Sequence, residues 1–458
     1  MPRPGRRGGC HARAEVPPPS ERFHPHPEVN VDPTYSTARR GLVILVCWLG
    51  LLADGYDMAS YGAALPRLIG PQPWGMTTET AGIVGSLALV GALIGAVVSG
   101  TLTDVFGRRR LFIGGLVLFS LAMILCGIAP NLEVFATGRF ICGLGFGGVI
   151  PVSVSLAAEF APRHYRARII GLVLTGLGVG TALAAFVALW SLDSHGFRPV
   201  FLIGGFPLLI TVPLAIAFVR EPASSPSRGR TGRASSAAAG TVRRLLSPPM
   251  RWATLTLWVV APLQLVNLWG ATTWLPKLMS QAGFGLKASL TFLLVYTGGS
   301  IVGTLISSAI AERVGAKPMV ILGGMLSGFG LSALAVTDAL PVLLTTVGVA
   351  GFGIGTAQNL LQVHIAEFYP PDMRATALGW AGGAGRIGSI VGPAYGGYFV
   401  ATAGGVSSAA LAFAAPALLA ALVMITVKPQ LVPRSSLDPA RTADLQHAAG
   451  RIAEEGAP

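Results

Sequence analysis

Long apolar runs, each ended by a short polar break, recur along the chain from residue 41 to residue 427. A run of about 18 or more apolar residues is long enough to cross a bilayer as a helix. Twelve are readable: 41 to 65, 78 to 102, 111 to 130, 134 to 157, 167 to 191 and 198 to 219, then 252 to 276, 288 to 311, 317 to 336, 341 to 365, 375 to 401 and 405 to 427. The pattern predicts an all-α membrane protein of twelve transmembrane helices. Sixty glycines are scattered through the chain, which suits helices whose backbones approach closely within a membrane.

The runs repeat. "AEFAPRHYRARIIG" begins at Ala158 and "AEFYPPDMRATALG" at Ala366, so Glu159 matches Glu367 and Arg166 matches Arg374, each 208 positions apart. The same shift carries Gly143, Gly145 and Gly147 onto Gly351, Gly353 and Gly355, and Asp104 and Gly107 onto Glu312 and Gly315. A six-helix unit has therefore been duplicated in tandem. Six is even, so both copies run in the same direction and are related by a pseudo-twofold axis along the membrane normal, the architecture of a rocker-switch carrier.

The remaining segments are polar. Residues 1 to 40, rich in Pro, Arg and His and without the apolar core of a signal peptide, are expected to be a disordered tail. Residues 221 to 250, beginning "EPASSPSRGRTGRASSAAAG", read as a flexible basic linker between bundles at 41 to 220 and 251 to 428, with a second tail at 429 to 458. The basic residues sort by side. If the N-terminus is cytoplasmic, the inner connections hold Arg108, Arg109, Arg110, Arg163, Arg166, Arg168, Arg220, Arg228, Arg230, Arg233, Arg243, Arg244, Arg251, Arg313, Lys317 and Arg374, against Arg67, Arg198, Lys277 and Lys287 outside. The asymmetry places both tails in the cytoplasm.

Composition agrees: 52% of residues are hydrophobic and 12% charged, against about 25% charged in soluble domains. The net charge of +13 sits in short loops beside apolar runs, so topology and anionic lipid explain it better than nucleic acid does. Cys10 lies in the tail and Cys47, Cys126 and Cys142 lie inside runs, with no metal-ligand or redox spacing. The "GLGFGG" and "GFGIG" stretches lie inside runs and lack a preceding strand, so they read as helix packing rather than phosphate loops. No nucleotide-binding lysine motif, zinc cluster or Ser-His-Asp set is readable; neither catalysis nor a cofactor is expected.

Charged residues inside the runs are the candidates for chemistry. Under the 208-residue shift Asp54 falls on Pro262, Asp57 on Leu265, Arg139 on Val347 and Arg386 on Gly178, so each is charged in one copy alone. An ionisable residue near a span centre costs about 2.5–3.5 kcal/mol, which makes each a functional residue by default. Asp54 and Asp57 are three apart and share a helix face. Two carboxylates so close do not both ionise without a nearby cation, as suits a proton site; the alternative is a static ion pair that holds helices together. Arg139 and Arg386 are the matching cations, their planar forks suited to carboxylates. Arg386 is expected to meet a substrate carboxylate and Arg139 to join the aspartates in proton coupling, or the reverse. Gln358, Asn359 and Gln362 add hydrogen-bonding groups in the tenth run, and Tyr56, Trp269 and Trp380 could flank an aromatic ring. His364 reads as a packing residue or, less simply, a proton relay. The charges present in both copies, Glu159 with Arg166 and Glu367 with Arg374, are expected to gate, together with Asp104, Gly107 and Arg108.

"GTLTDVFGRRR" (100 to 110) resembles the motif between the second and third helices of the major facilitator superfamily, with Val105 where a basic residue is usual, and "RFICGLGFGG" (139 to 148) resembles its fourth-helix motif. "DGYD" and the stretch "AQNLLQVHIAEFYPPDMRATALGWAGGAGRIGSIVGP" (357 to 393) resemble the aromatic acid:proton symporter family within it, although Val152 and His364 depart from that family's pattern. The resemblance implies the major facilitator fold, proton-coupled import of a benzoate or hydroxybenzoate type of acid and a proton-coupling role for Arg139; a bacterial inner membrane and a monomer are expected. A carrier or exporter of another organic anion or a sugar would share the superfamily motifs. A non-transporting membrane sensor would bind the ligand without accumulating it.

Overall fold

In a computed structural model the described residues are 37–71, 73–161, 166–219, 242–248, 250–337, 339–402 and 405–427. Most of the expected tails and linker lies outside them. Two edges differ from expectation. The first helix starts at Thr37, inside the supposed tail. Residues 242 to 245 are helical, with Leu245 buried against the second half, so the end of the supposed linker is anchored.

Eleven helical stretches among the described residues are long and apolar enough to cross a membrane. The eleventh predicted run, Pro371–Thr402, is also helical, but its many glycines and Arg386 make it less apolar than the others. The first to third spans are Thr37–Leu68, Thr78–Phe106 and Arg108–Ile128, and the fifth is Arg166–Ser191. The seventh to tenth are Arg251–Gln281, Leu286–Val314, Ala316–Ser332 and Leu340–Phe368, and the twelfth is Val406–Ile425.

Two spans predicted as continuous are broken. The fourth consists of Leu132–Phe146 and Val149–Phe160, and the sixth of Arg198–Gly204 and Thr211–Phe218 around a 3-10 turn at Phe206–Leu208. Proline explains both: Pro151 and Pro207 lack the N–H and crowd the carbonyl four residues back, beside the glycine pairs at 147–148 and 204–205. The repeat supplies a control, because Asn359 occupies the place of Pro151 in the tenth span and that span is unbroken.

The 208-residue offset holds for contacts as well as letters. A Cβ on Gly143 would lie 1.9 Å from the Ala88 carbonyl oxygen, and one on Gly351 would lie 1.9 Å from that of Tyr296, which is residue 88 shifted by 208. Gly147 meets the Ala92 oxygen and Gly355 that of Ser300, both at 2.1 Å. The turn into the third span uses Gly107 at φ 83° and ψ 155°, and the turn into the ninth uses Gly315 at φ 95° and ψ 156°. A positive φ of that kind favours glycine at both.

Each half packs mainly on itself. The fourth span packs on the second and third, the tenth on the eighth and ninth. The halves meet through the first and seventh, second and eleventh, and fifth and eighth spans. Their closest backbone approaches lie away from the Arg108 and Arg313 end of the bundle. A Cβ on Gly62 would lie 2.7 Å from the Thr272 oxygen, one on Gly82 would lie 2.9 Å from the Pro393 oxygen, and one on Gly397 would lie 2.9 Å from the Thr78 oxygen. The Ser86 hydroxyl also donates to the Ile390 carbonyl across the same seam, at 2.6 Å. The two halves are thus clasped at the end opposite the arginine-rich one.

Candidate functional site

The first span positions the central charges. Residues 54, 57, 58 and 61 follow the i, i+3, i+4, i+7 spacing of one helix face. Asp54 and Asp57 are both buried, at 2% and 0% exposure. Arg139, on the fourth span and 3% exposed, forms a salt bridge through Nη1 to Asp57 Oδ1. Its guanidinium carbon also lies 5.1 Å from the centroid of the Tyr61 ring, a favourable place for a cation.

The pair is incompletely satisfied. Asp57 Oδ2, Asp54 Oδ2 and Arg139 Nε have no hydrogen-bond partner among the described residues. An ionised carboxylate in a low-dielectric site is stabilised by partners on both oxygens, and one left bare is costly. Each aspartate therefore has one carboxylate oxygen without a hydrogen-bond partner among the described residues. Asp54 lies within electrostatic range of both Asp57 and Arg386. Arg386, half-buried on the eleventh span, makes no ion pair or hydrogen bond among the described residues. The four symmetry-breaking charges, from three spans and both halves, are brought to one region.

A cavity opens between the halves beside this cluster. Arg139, Met58, Tyr61, Gly85, Ala88 and Leu89 line it from the first half, and Trp269, Thr273 and Pro393 from the second. In this conformation the cleft is narrow, with room for about one water molecule and none for an aromatic ring.

The other expected residues divide. Gln358, Asn359 and Gln362 are each half-buried on the tenth span. Gln358 Oε1 is buried without a partner, whereas Asn359 donates to the Ser308 hydroxyl at 3.0 Å and is already engaged with the eighth span. Tyr56 needs correction. It is fully buried, its hydroxyl donates to the Val200 carbonyl at 2.6 Å, and its ring lies against Gly204 of the sixth span. It stands two residues from Asp54, about 200° around the helix, and so points into the core of the first half. Trp380 stacks on Trp258 at 5.3 Å, and His364 is buried beside Phe368. Among the gating residues, Gly107 forms the turn already described, Glu367 is exposed and Arg374 is half-buried. The side chains of Asp104, Arg108, Glu159 and Arg166 lie outside the described residues.

Two site residues went unread in the sequence. Tyr61 was signalled by its position four residues after Asp57. Thr273 was signalled by lying four residues after Trp269, but a threonine in an apolar helix is too common to stand out.

The Major Facilitator Superfamily model matches residues 47–308 and 288–453. A gentisate transporter of Corynebacterium glutamicum is 32% identical over 85% of this chain and 87% of its own length. A benzoate transport protein of Acinetobacter baylyi is 30% identical over 80% of this chain and 85% of its own. Among solved structures, a D-xylose-proton symporter superposes with a TM-score of 0.70 at 22% identity, covering 85% of this chain and 98% of that one. A bacterial homologue of the human lysosomal transporter Spinster gives 0.70 at 17% identity, covering 86% and 96%; at such identities the likeness concerns the fold. Duplicated six-span halves, charges gathered on the axis between them, and a family match over most of the sequence agree: the chain belongs to the Major Facilitator Superfamily and is a multi-pass membrane transporter, not an enzyme.

Proposed function

We propose that this protein imports small aromatic carboxylates of the benzoate or hydroxybenzoate type together with protons, by alternating access. The observation that carries this reading is the buried Asp57–Arg139 pair with a bare carboxylate oxygen, together with Arg386, which lies within electrostatic range of Asp54 and has no ion pair among the described residues. The relatives named for gentisate and benzoate support the substrate class.

The positive-inside asymmetry puts the arginine-rich end and both termini in the cytoplasm, and the membrane is a bacterial inner membrane. The clasped end is then the outer one, and the conformation faces inward. In the cycle, a proton reaches Asp57 or Asp54 from outside and loosens the hold on Arg139. The substrate carboxylate docks on Arg386, with its ring substituents near Gln358 and Gln362. The gate charges Asp104, Arg108, Glu159, Arg166, Glu367 and Arg374, on either side of the Gly107 turn, part at the inner end. Both cargoes leave inward, and the Asp57–Arg139 pair reforms. The chain works as a monomer in this scheme, because all four central charges come from one copy.

The test is uptake of labelled benzoate, hydroxybenzoates, gentisate, xylose and an aliphatic dicarboxylate into proteoliposomes under an inward proton gradient, with protein-free liposomes as control. Accumulation of an aromatic acid that collapses with a protonophore is expected. Accumulation of xylose or the dicarboxylate alone would overturn the substrate class, and ligand binding without accumulation would point to a sensor.

A further inference from the structure

Tyr61 lies one helical turn beyond Asp57 on the same face, is buried, and touches both the ion pair and the seam between the halves. On one side its ring faces the Arg139 guanidinium, 5.1 Å from centroid to carbon. On the other, a Cβ on Gly85 of the second span would lie 2.9 Å from the ring edge and 3.1 Å from the Pro393 side chain. The hydroxyl donates to the Ala81 carbonyl at 2.5 Å. Ala81 and Gly85 flank Gly82, the residue that meets the Pro393 carbonyl across the seam.

We propose that Tyr61 is a positioning residue that transmits the state of the Asp57–Arg139 pair to the outer gate between the second and eleventh spans. This rests on the proton-coupled reading above. With Asp57 ionised, Arg139 is held beside it and over the ring, whose edge abuts Gly85, so the second span is pressed against Pro393. When Asp57 is neutral the guanidinium is released from its anion. The ring is clamped on one face and tethered through its hydroxyl, so displacement of Arg139 is delivered to Ala81 and Gly85 and loosens the contact at Gly82. The groups facing Asp57 are Asp54, Tyr56 and Tyr61 on its own span, Arg139 and Cys142 on the fourth, Cys126 of the third behind Arg139, and Arg386 of the eleventh beyond Asp54. Among them Tyr61 is hydrogen-bonded to Ala81 of the second span and packs against Gly85 at the seam.

The experiment places a cysteine at Ala394, half-buried beside Gly82 at the gate, and measures its labelling by a membrane-impermeant maleimide from outside the proteoliposome. Labelling is measured at one fixed neutral pH, above the background of the protein without Ala394→Cys. With Tyr61 in place, Asp57→Asn should raise the labelling rate about tenfold, within the usual range of coupling between sites. Tyr61→Leu should flatten that response and Tyr61→Phe, which keeps the ring and loses the tether, should reduce it in part. If Tyr61→Leu does not fold, Tyr61→Phe carries the test.

A response to Asp57→Asn that is unchanged in both Tyr61 variants, or absent with Tyr61 in place, would overturn the proposal. Aromatic-acid accumulation by the protein with Tyr61 intact is measured in the same vesicles. Its absence beside a Tyr61-dependent gate response would remove the transport reading and leave the link standing.

Discussion

At the residue scale, the proposed function rests on charges that the duplication did not copy. Asp54, Asp57, Arg139 and Arg386 were legible because each has an uncharged partner 208 positions away and each lies in an apolar run. Their distances were not legible: nothing in the letters distinguishes the closed Asp57–Arg139 bridge from the open arrangement around Arg386. Tyr56 shares a span with the aspartates, but its buried hydroxyl is engaged by the Val200 carbonyl in the core of the first half. Asp57→Asn keeps an oxygen to accept from Arg139 but cannot cycle a proton, so gradient-driven accumulation should vanish while substrate exchange persists; uptake and counterflow assays separate the two. Arg386→Ala should raise KM by about tenfold to a hundredfold, the size of a lost charge-assisted contact of roughly 1.5–3 kcal/mol. Arg386→Lys should recover only part of it, since lysine cannot form the planar fork. Arg139→Gln leaves the Asp57 carboxylate alone in the core, and thermal unfolding in detergent should show a loss of about 3–5 kcal/mol.

At the element scale, glycine spacing proved the most reliable guide. Gly143 and Gly351 are smooth helix-contact points that a side chain cannot enter, because a Cβ would overlap a neighbouring backbone oxygen at 1.9 Å. Gly351→Val should destabilise the second half by about 1–3 kcal/mol or more through overpacking. Gly379→Ala, where nothing lies within 4 Å of the added carbon, should stay within about 0.5 kcal/mol of the parent. Thermal unfolding of the two variants side by side checks the difference. The breaks in the fourth and sixth spans were written in Pro151 and Pro207 but were hidden by runs that stay apolar across them, since hydropathy does not register a missing N–H. The eleventh span shows the reverse: its glycines and Arg386 lower its hydropathy, yet it is a helix of 32 residues. A helix that lines a seam between halves can afford a less apolar surface than one facing lipid.

At the scale of the whole molecule, the repeat gave the architecture and the arginines the expected orientation, but the conformation had no signature in sequence. A rocker switch must fit both states, so its letters favour neither. The clasp of Gly62, Gly82 and Gly397 at one end distinguishes this state. The charge balance has a further consequence. Asp54, Asp57, Arg139 and Arg386 sum to zero when all are ionised, so a bound monocarboxylate leaves one negative charge in the occluded centre. One proton restores neutrality, and one proton per substrate is therefore the expected stoichiometry. The most direct test is to follow proton and labelled hydroxybenzoate entry together in proteoliposomes holding a pH-sensitive dye. The account predicts one proton entering with each substrate, and no substrate-linked proton entry in Asp57→Asn despite continued exchange. Substrate entering without protons, or proton coupling undiminished in Asp57→Asn, would contradict it.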